Sequence, residues 1–215
     1  MSTLSSRCDA LALESFEPLM QKLVDQHRRQ FANVLALSIP REEDDDTNAC
    51  KDLGSFQAIL RLFDYPKAEE YVIPVDADIP GWDVADKIRG LIRQAMTMTG
   101  RTIILIHYGG HGLNRNQELH FCNATGRKHF DVNRNMLDIM DSKSAITDSD
   151  NIDIVCIFDS CYSYLVTREY TGHNGVVEIL AAVDEDSRLA FSPGLRASFT
   201  GKLYAENPQK NAVRS

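Results

Sequence analysis

The sequence predicts an α/β fold with a mostly parallel central sheet and helices on both of its faces. Apolar stretches of strand length alternate along the chain with segments of helical periodicity, which is the order of repeated strand–helix units. The apolar stretches are nearly free of polar residues, as strands are when both faces of their sheet are covered. In sheets of this kind, ligands and chemistry gather beyond the carboxyl ends of the strands.

From residue 31 the predicted order is strand, helix, strand, helix, strand, small hairpin, helix, strand, strand, helix. Buried apolar runs predict strands over residues 31–39, 70–76, 101–108, 152–159 and 176–183. Helical spacing and capping residues predict helices over residues 47–63, 80–98, 131–141 and 194–206. The residues Asn-Ala-Thr-Gly interrupt residues 118–130, which are therefore predicted to form a hairpin.

The ends of the chain are predicted to flank one domain, residues 31–205. Residues 1–30 form an N-terminal helical extension, and residues 206–215 form a tail. In residues 11–30, one helical face carries Phe16, Leu19, Met20 and Leu23. We expect this helix to pack on the domain, with partner binding as the alternative. The acidic run at residues 41–46 is expected to be an exposed loop.

Composition and charge exclude several classes of function. The net charge of −8 argues against nucleic acid or an anionic membrane as the main partner. The first residues lack the pattern of a secretory signal, and no apolar run approaches the about 20 residues that span a bilayer. The 5 cysteines include no CxxC pair, so we expect no disulfide framework and no zinc cluster, and a reducing, cytoplasmic location.

Two of the predicted strands run into residues that carry chemistry. The strand at residues 101–108 continues into "GGHGL" with His111, and the strand at residues 152–159 continues into "SCYS" with Cys161. Histidine can take the proton of a cysteine thiol, and the resulting thiolate then attacks a carbonyl. Gly112 would allow a backbone turn and offer its N–H to an oxyanion, beside the N–H of Cys161. The alternative is a surface histidine and a buried structural cysteine.

The segments around His111 and Cys161 together resemble those of a known protein family. "HYGGHG" followed by "DSCYS" resembles the catalytic blocks of the caspase and metacaspase superfamily of cysteine peptidases, and is closer to the metacaspases. About 50 residues separate the histidine from the cysteine, which is the spacing found in caspases. The resemblance covers residues 31–205 and implies a caspase-like α/β/α sandwich. It also implies His111 as the general base, Cys161 as the nucleophile and Gly112 as an oxyanion donor.

The resemblance further implies a substrate preference for Arg or Lys. An acidic residue two positions before the nucleophile helps to bind that side chain in metacaspases, and here it is Asp159; Asp52 is the best match for a second acidic residue. A pair of carboxylates suits a guanidinium or an ammonium group. The alternatives are a helix N-terminal charge for Asp52 and a turn residue for Asp159. Gly109 and Gly110 are expected to leave room for the substrate backbone.

No cofactor is expected. Some metacaspases bind calcium through aspartates, but the matching positions here fall near Gly126 and Arg168, which lack carboxylates. The segment after Cys161 is expected to be a short loop, with Arg168 as its only candidate for self-cleavage and a single-chain enzyme as the result. His107 is expected to pack inward or to support the loop, and Cys156 to lie in the core.

Three functions remain open at this point. The first is a cysteine endopeptidase that acts on polypeptides. The second is a catalytically weak caspase-like scaffold in cell-death or self-recognition signalling, with further domains or partners. The third is a hydrolase of small amides or thioesters that uses the same two residues.

Overall fold

The computed structural model describes residues 31–42, 49–140, 151–169, 177–184, 186, 189–190 and 197–205. The N-terminal helix predicted at residues 11–30, most of the acidic run and the tail therefore lie outside the described residues. The helices and strands in the described ranges are β1 (Asn33–Ser38), α1 (Ala49–Leu62), β2 (Glu69–Glu70), α2 (Pro80–Thr97), β3 (Thr102–Gly109), β4 (His111–Arg115), β5 (Glu118–Cys122), β6 (His129–Asp131), a π-helical turn (Asn133–Leu137), α3 (Asp138–Met140), β7 (Ile152–Asp159), α4 (Tyr164–Glu169), β8 (Val177–Ala181) and α5 (Phe199–Ala205).

The central sheet has five strands in the order β2-β1-β3-β7-β8. All four pairings between these strands are parallel. The carboxyl ends of β1, β3 and β7 therefore lie at one edge, where Ser38 pairs with His107 and Gly109 pairs with Asp159. The predicted α/β class and mostly parallel sheet are confirmed.

Helices contribute to an apolar layer on each face of the sheet. Alternate residues of a strand point to opposite faces. Ile104 and Ile106 of β3 therefore pack in the layer that includes α2. Leu105 packs in the other layer, with Phe56 and Leu60 of α1. A second, antiparallel sheet of β4, β5 and β6 adds Leu119 and other apolar side chains to the first layer.

Two local predictions are wrong. The strand predicted at residues 70–76 is only the two-residue β2, followed by an isolated bridge between Arg41 and Ile73. Pro40 and Pro74 lack the N–H groups that a longer ladder needs. The segment after Cys161 is not all loop, because α4 begins at Tyr164 and its first three residues are buried.

The small sheet and the helix that follows it differ from the prediction only in detail. The predicted hairpin exists as β5 and β6, but the glycine-rich block also forms a strand, β4, that pairs with β5. The helix predicted at residues 131–141 begins as a π-helical turn. Among the helices in the described part of the chain, none combines the length and apolar character that crossing a bilayer requires.

Candidate active site

The two motifs meet at the carboxyl edge of the sheet. His111 and Cys161 each follow the end of a strand by two residues, and these strands are paired along their whole length, with Gly109 opposite Asp159. The Gly110 N–H donates a hydrogen bond to the carbonyl oxygen of Asp159 at 3.2 Å, which extends the ladder beyond the sheet. The parallel register therefore brings both motifs to one place.

The two motifs are in contact at Gly112. A Cβ placed on this residue would lie 2.0 Å from the main-chain oxygen of Cys161 and 3.1 Å from the Ser160 Oγ. No side chain fits there. Gly112 lies in strand β4 and is not one of the described glycines with positive φ. The backbone turn expected at Gly112 is therefore wrong: the residue must be glycine because the nucleophile loop packs on it.

The histidine backbone is held by a buried tyrosine. Tyr108 is fully buried, stacks on Phe121 with 3.5 Å between ring centroids, and donates its hydroxyl to the His111 carbonyl at 3.0 Å. His111 itself is half-buried. The core of the domain thus fixes the main chain at the predicted base and leaves part of the side chain open to solvent.

The cysteine lies in a constrained turn. Cys161 is half-buried and is not in a disulfide. Tyr162 follows it with a φ of 60°, a left-handed conformation that a bulky side chain disfavours. The preceding Ser160 is buried, and its Oγ has no hydrogen-bond partner among the described residues. Backbone strain of this kind persists where the surrounding structure imposes it, and it concentrates at functional sites.

Both predicted acidic residues lie at the same edge and contact the last helix. Asp52 and Asp159 are each 0% exposed. The Ser198 hydroxyl donates to Asp52 Oδ1 at 2.9 Å, and the Thr200 N–H donates to Asp159 Oδ2 at 2.8 Å. Asp159 Oδ1 is buried without a hydrogen-bond partner among the described residues. The structure therefore brings the two carboxylates together around the start of α5.

The two glycines before His111 are also part of this cluster. A Cβ on Gly109 would lie 3.1 Å from Asp52 Oδ2, so the missing side chain leaves room for that carboxylate. Gly110 is buried and holds the Asp159 carbonyl. Their contact with a substrate backbone stays a prediction.

A buried polar network beneath the carboxylates was missed by the sequence reasoning. The Nδ1 of His107 lies 3.0 Å from the Ser38 Oγ, and its Nε2 lies 3.2 Å from the Thr200 Oγ1. The ring also stacks on Phe56. Burial lowers the pKa of His107 to about 3, so the ring is neutral at physiological pH. The inward packing expected of His107 is confirmed.

The partners of this network had only a weak sequence signal. Ser198 is the N-cap of α5, because its hydroxyl accepts from the Gly201 N–H at 3.0 Å. A serine just before a helical segment predicts such a cap. It does not predict that the same hydroxyl reaches a carboxylate 146 residues away.

One group of side chains has the composition of a metal site. Glu118, His120 and Asp131 offer ligand atoms that all lie within 4.8 Å of one another on the small sheet. Exposed acidic groups commonly come this close without an ion, so the cluster by itself does not indicate a cofactor.

Comparison with known protein families and with curated proteins identifies no relative. No family model matches the chain. No curated protein matches it significantly.

Proposed function

We propose that this chain is a cysteine endopeptidase with a caspase-like fold, in which Cys161 is the nucleophile and His111 the general base. The observation that carries the proposal is the contact of Gly112 with the Cys161 carbonyl, where a Cβ would lie 2.0 Å from the oxygen. Such an approach sets the histidine and cysteine motifs side by side at the carboxyl edge of a parallel sheet, where active sites concentrate.

The chemistry follows from the two side chains. The His111 imidazole takes the Cys161 thiol proton, and the sulfur forms a bond to the scissile carbonyl carbon. The N–H groups of Gly112 and Cys161 stabilise the oxyanion. The His111 imidazolium then returns the proton to the leaving amine as the C–N bond breaks. Water hydrolyses the resulting thioester.

Specificity for Arg or Lys is attributed to Asp52 and Asp159. Two buried carboxylates near one another favour a cation, because a buried charge is costly unless it is paired. Asp159 Oδ1, which has no partner in the described part of the chain, is the atom best suited to accept from a guanidinium.

Hydrolysis of fluorogenic peptides that end in Arg, Lys or Asp tests this function. We expect wild type to cleave after Arg or Lys, with and without calcium, and Cys161→Ala to be inactive while it retains its circular dichroism spectrum. Asp159→Asn keeps the shape but removes the charge, and should lower kcat/KM for Arg substrates at least about tenfold. Activity that survives in Cys161→Ala would exclude this nucleophile.

One observation favours the scaffold as a second candidate. Asp52 and Asp159 are 0% exposed and hold the start of α5, so both already have structural roles. A scaffold predicts no cleavage of any peptide in the set, and a Cys161 thiol that reacts no faster than that of an unfolded peptide. In either case a cytoplasmic protein with polypeptide partners is expected.

A further inference from the structure

An apolar groove lies on the α1 face of the central sheet. Its volume is about 550 Å³, and its floor is formed by side chains of three neighbouring strands. These include Ile103 and Leu105 of β3, Val155 and Ile157 of β7, and Leu180 of β8.

The described helices leave this part of the sheet uncovered. Leu180 is 40% exposed, and Leu105 and Val155 are only partly buried. Parallel sheets occur almost only with both faces covered, because their strands are apolar on both sides. On the opposite face α2 and the small sheet provide that cover. Within the described ranges, no segment therefore covers the groove.

The chain itself supplies a candidate next to the groove. Phe31, the first described residue, lines the groove, and the Arg101 guanidinium lies 5.1 Å from the centre of its ring. Residues 11–30 come directly before it and carry the apolar stripe of Phe16, Leu19, Met20 and Leu23. A segment with an amphipathic sequence pattern therefore immediately precedes the residue at which the chain reaches the groove.

We propose that residues 11–30 dock in this groove, with the apolar stripe on Ile103, Leu105, Val155 and Leu180. Proline is tolerated only in the first turn of a helix, so the docked helix begins at Pro18. From Pro18 to residue 30 it extends about 20 Å, which is more than the about 14 Å from β1 to β8. The other segments outside the described residues are shorter or mainly polar, and the tail at residues 206–215 has only two aliphatic side chains.

One exposed carboxylate of the lining is suited to a basic residue of the docked segment. Arg28 and Arg29 immediately precede Phe31. Of the two carboxylates in the lining, Asp153 pairs with the Arg101 guanidinium at 2.7 Å, whereas Glu178 is exposed. The docking is independent of the proposed peptidase activity.

Reactivity of a thiol placed at position 180 tests the docking in the full chain. Leu180→Cys is treated with an alkylating reagent, and the modification rate at this position is read by peptide mass spectrometry. Leu23→Asp puts a charge on the apolar stripe and should raise the rate at least about tenfold, because the opened groove exposes the thiol. Gln21→Asp, on the polar side of the same helix, is the matched control and should leave the rate within about twofold.

Two results would overturn the docking. One is fast modification in Leu180→Cys alone, which means an open groove. The other is protection of the thiol at position 180 that increases with protein concentration and is unchanged by Leu23→Asp, which means that a second copy covers the groove. A photo-crosslinking residue at position 180, with residues 11–30 unchanged, covers the case in which Leu23→Asp does not fold. Its adduct should map to residues 11–30, and an adduct to another segment or to a second chain contradicts the proposal.

Discussion

Gly112 packs its Cα directly against the main-chain carbonyl of Cys161, and a Cβ there would lie 2.0 Å from the oxygen. The contact joins strand β4 to the turn after β7, two elements that are distant in the sequence. The position of Cys161 therefore depends on the absence of one methyl group, and this dependence can be tested.

Gly112→Ala should displace the turn that carries Cys161. Overpacking of this kind costs about 1–3 kcal/mol of unfolding free energy. If the chain is a peptidase, a displacement of about 1 Å should lower kcat/KM about a hundredfold. Gly90→Ala in α2 is the matched control, because a Cβ there has no atom within 4 Å. It should stabilise the protein slightly, since alanine is the better helix former. Urea denaturation and peptide hydrolysis of both variants measure these effects, and wild-type values for Gly112→Ala would contradict the packing.

The described cysteines should differ sharply in their reaction with iodoacetamide at about pH 8. Cys161 is half-buried, whereas Cys122 and Cys156 are buried. Burial raises the pKa of Cys156 to about 12, so its reactive thiolate is scarce. Peptide mass spectrometry of the folded protein should show the label on Cys161 well before it appears on Cys122 or Cys156. The control is the urea-unfolded protein, where the three should react alike; equal rates in the folded protein would exclude an accessible thiol at position 161.

Ser198→Ala should loosen the start of α5. The hydroxyl caps the Gly201 N–H and donates to Asp52, so its loss removes an N-cap and a buried hydrogen bond. Unfolding free energy should fall by about 1–2 kcal/mol. Ser55→Ala, in the middle of α1, is the control and should be neutral or slightly stabilising. Urea denaturation distinguishes the two, and equal midpoints would show that the cap contributes nothing.

His107 should make stability depend on pH. Burial lowers its pKa from 6.5 to about 3, so between these values the unfolded chain binds a proton that the folded chain does not. The stabilising contribution is fully present above pH 6.5 and is lost as the pH falls towards 3. The loss is about 1.4 kcal/mol per pH unit within that window.

Comparison with His107→Gln isolates this proton. The variant removes the titrating group and keeps hydrogen-bonding capacity near Ser38 and Thr200. Unfolding free energies are measured by urea denaturation from about pH 7 to about pH 4. They should fall less steeply for the variant, and the difference between the two slopes should correspond to at most one bound proton. Parallel curves would mean that His107 is not the group that titrates.

Strand positions were predictable because burial on both faces leaves a direct mark on the sequence. The strand predicted at residues 152–159 is β7, and the one predicted at residues 101–108 is β3 shifted by one residue. Gly112, Cys161 and Asp159 were singled out for the same reason: unusual residues follow an apolar run, where a parallel sheet places its ligands. Elements with mixed composition, such as α4 and β4, were missed because a short segment takes its conformation from the contacts it makes.

Local hydrophobic patterns were enough to predict the α/β class, the course of the central strands and the residues at their carboxyl ends. Which of those residues meet is visible only in the three-dimensional structure. The bond from Ser198 to Asp52 joins positions 146 residues apart, and the bond from Thr200 to Asp159 joins positions 41 residues apart. The approach of Gly112 to Cys161 likewise follows from the register of β3 and β7. Periodicity records which way a side chain faces, but the partner it faces is chosen by the packing of the whole chain.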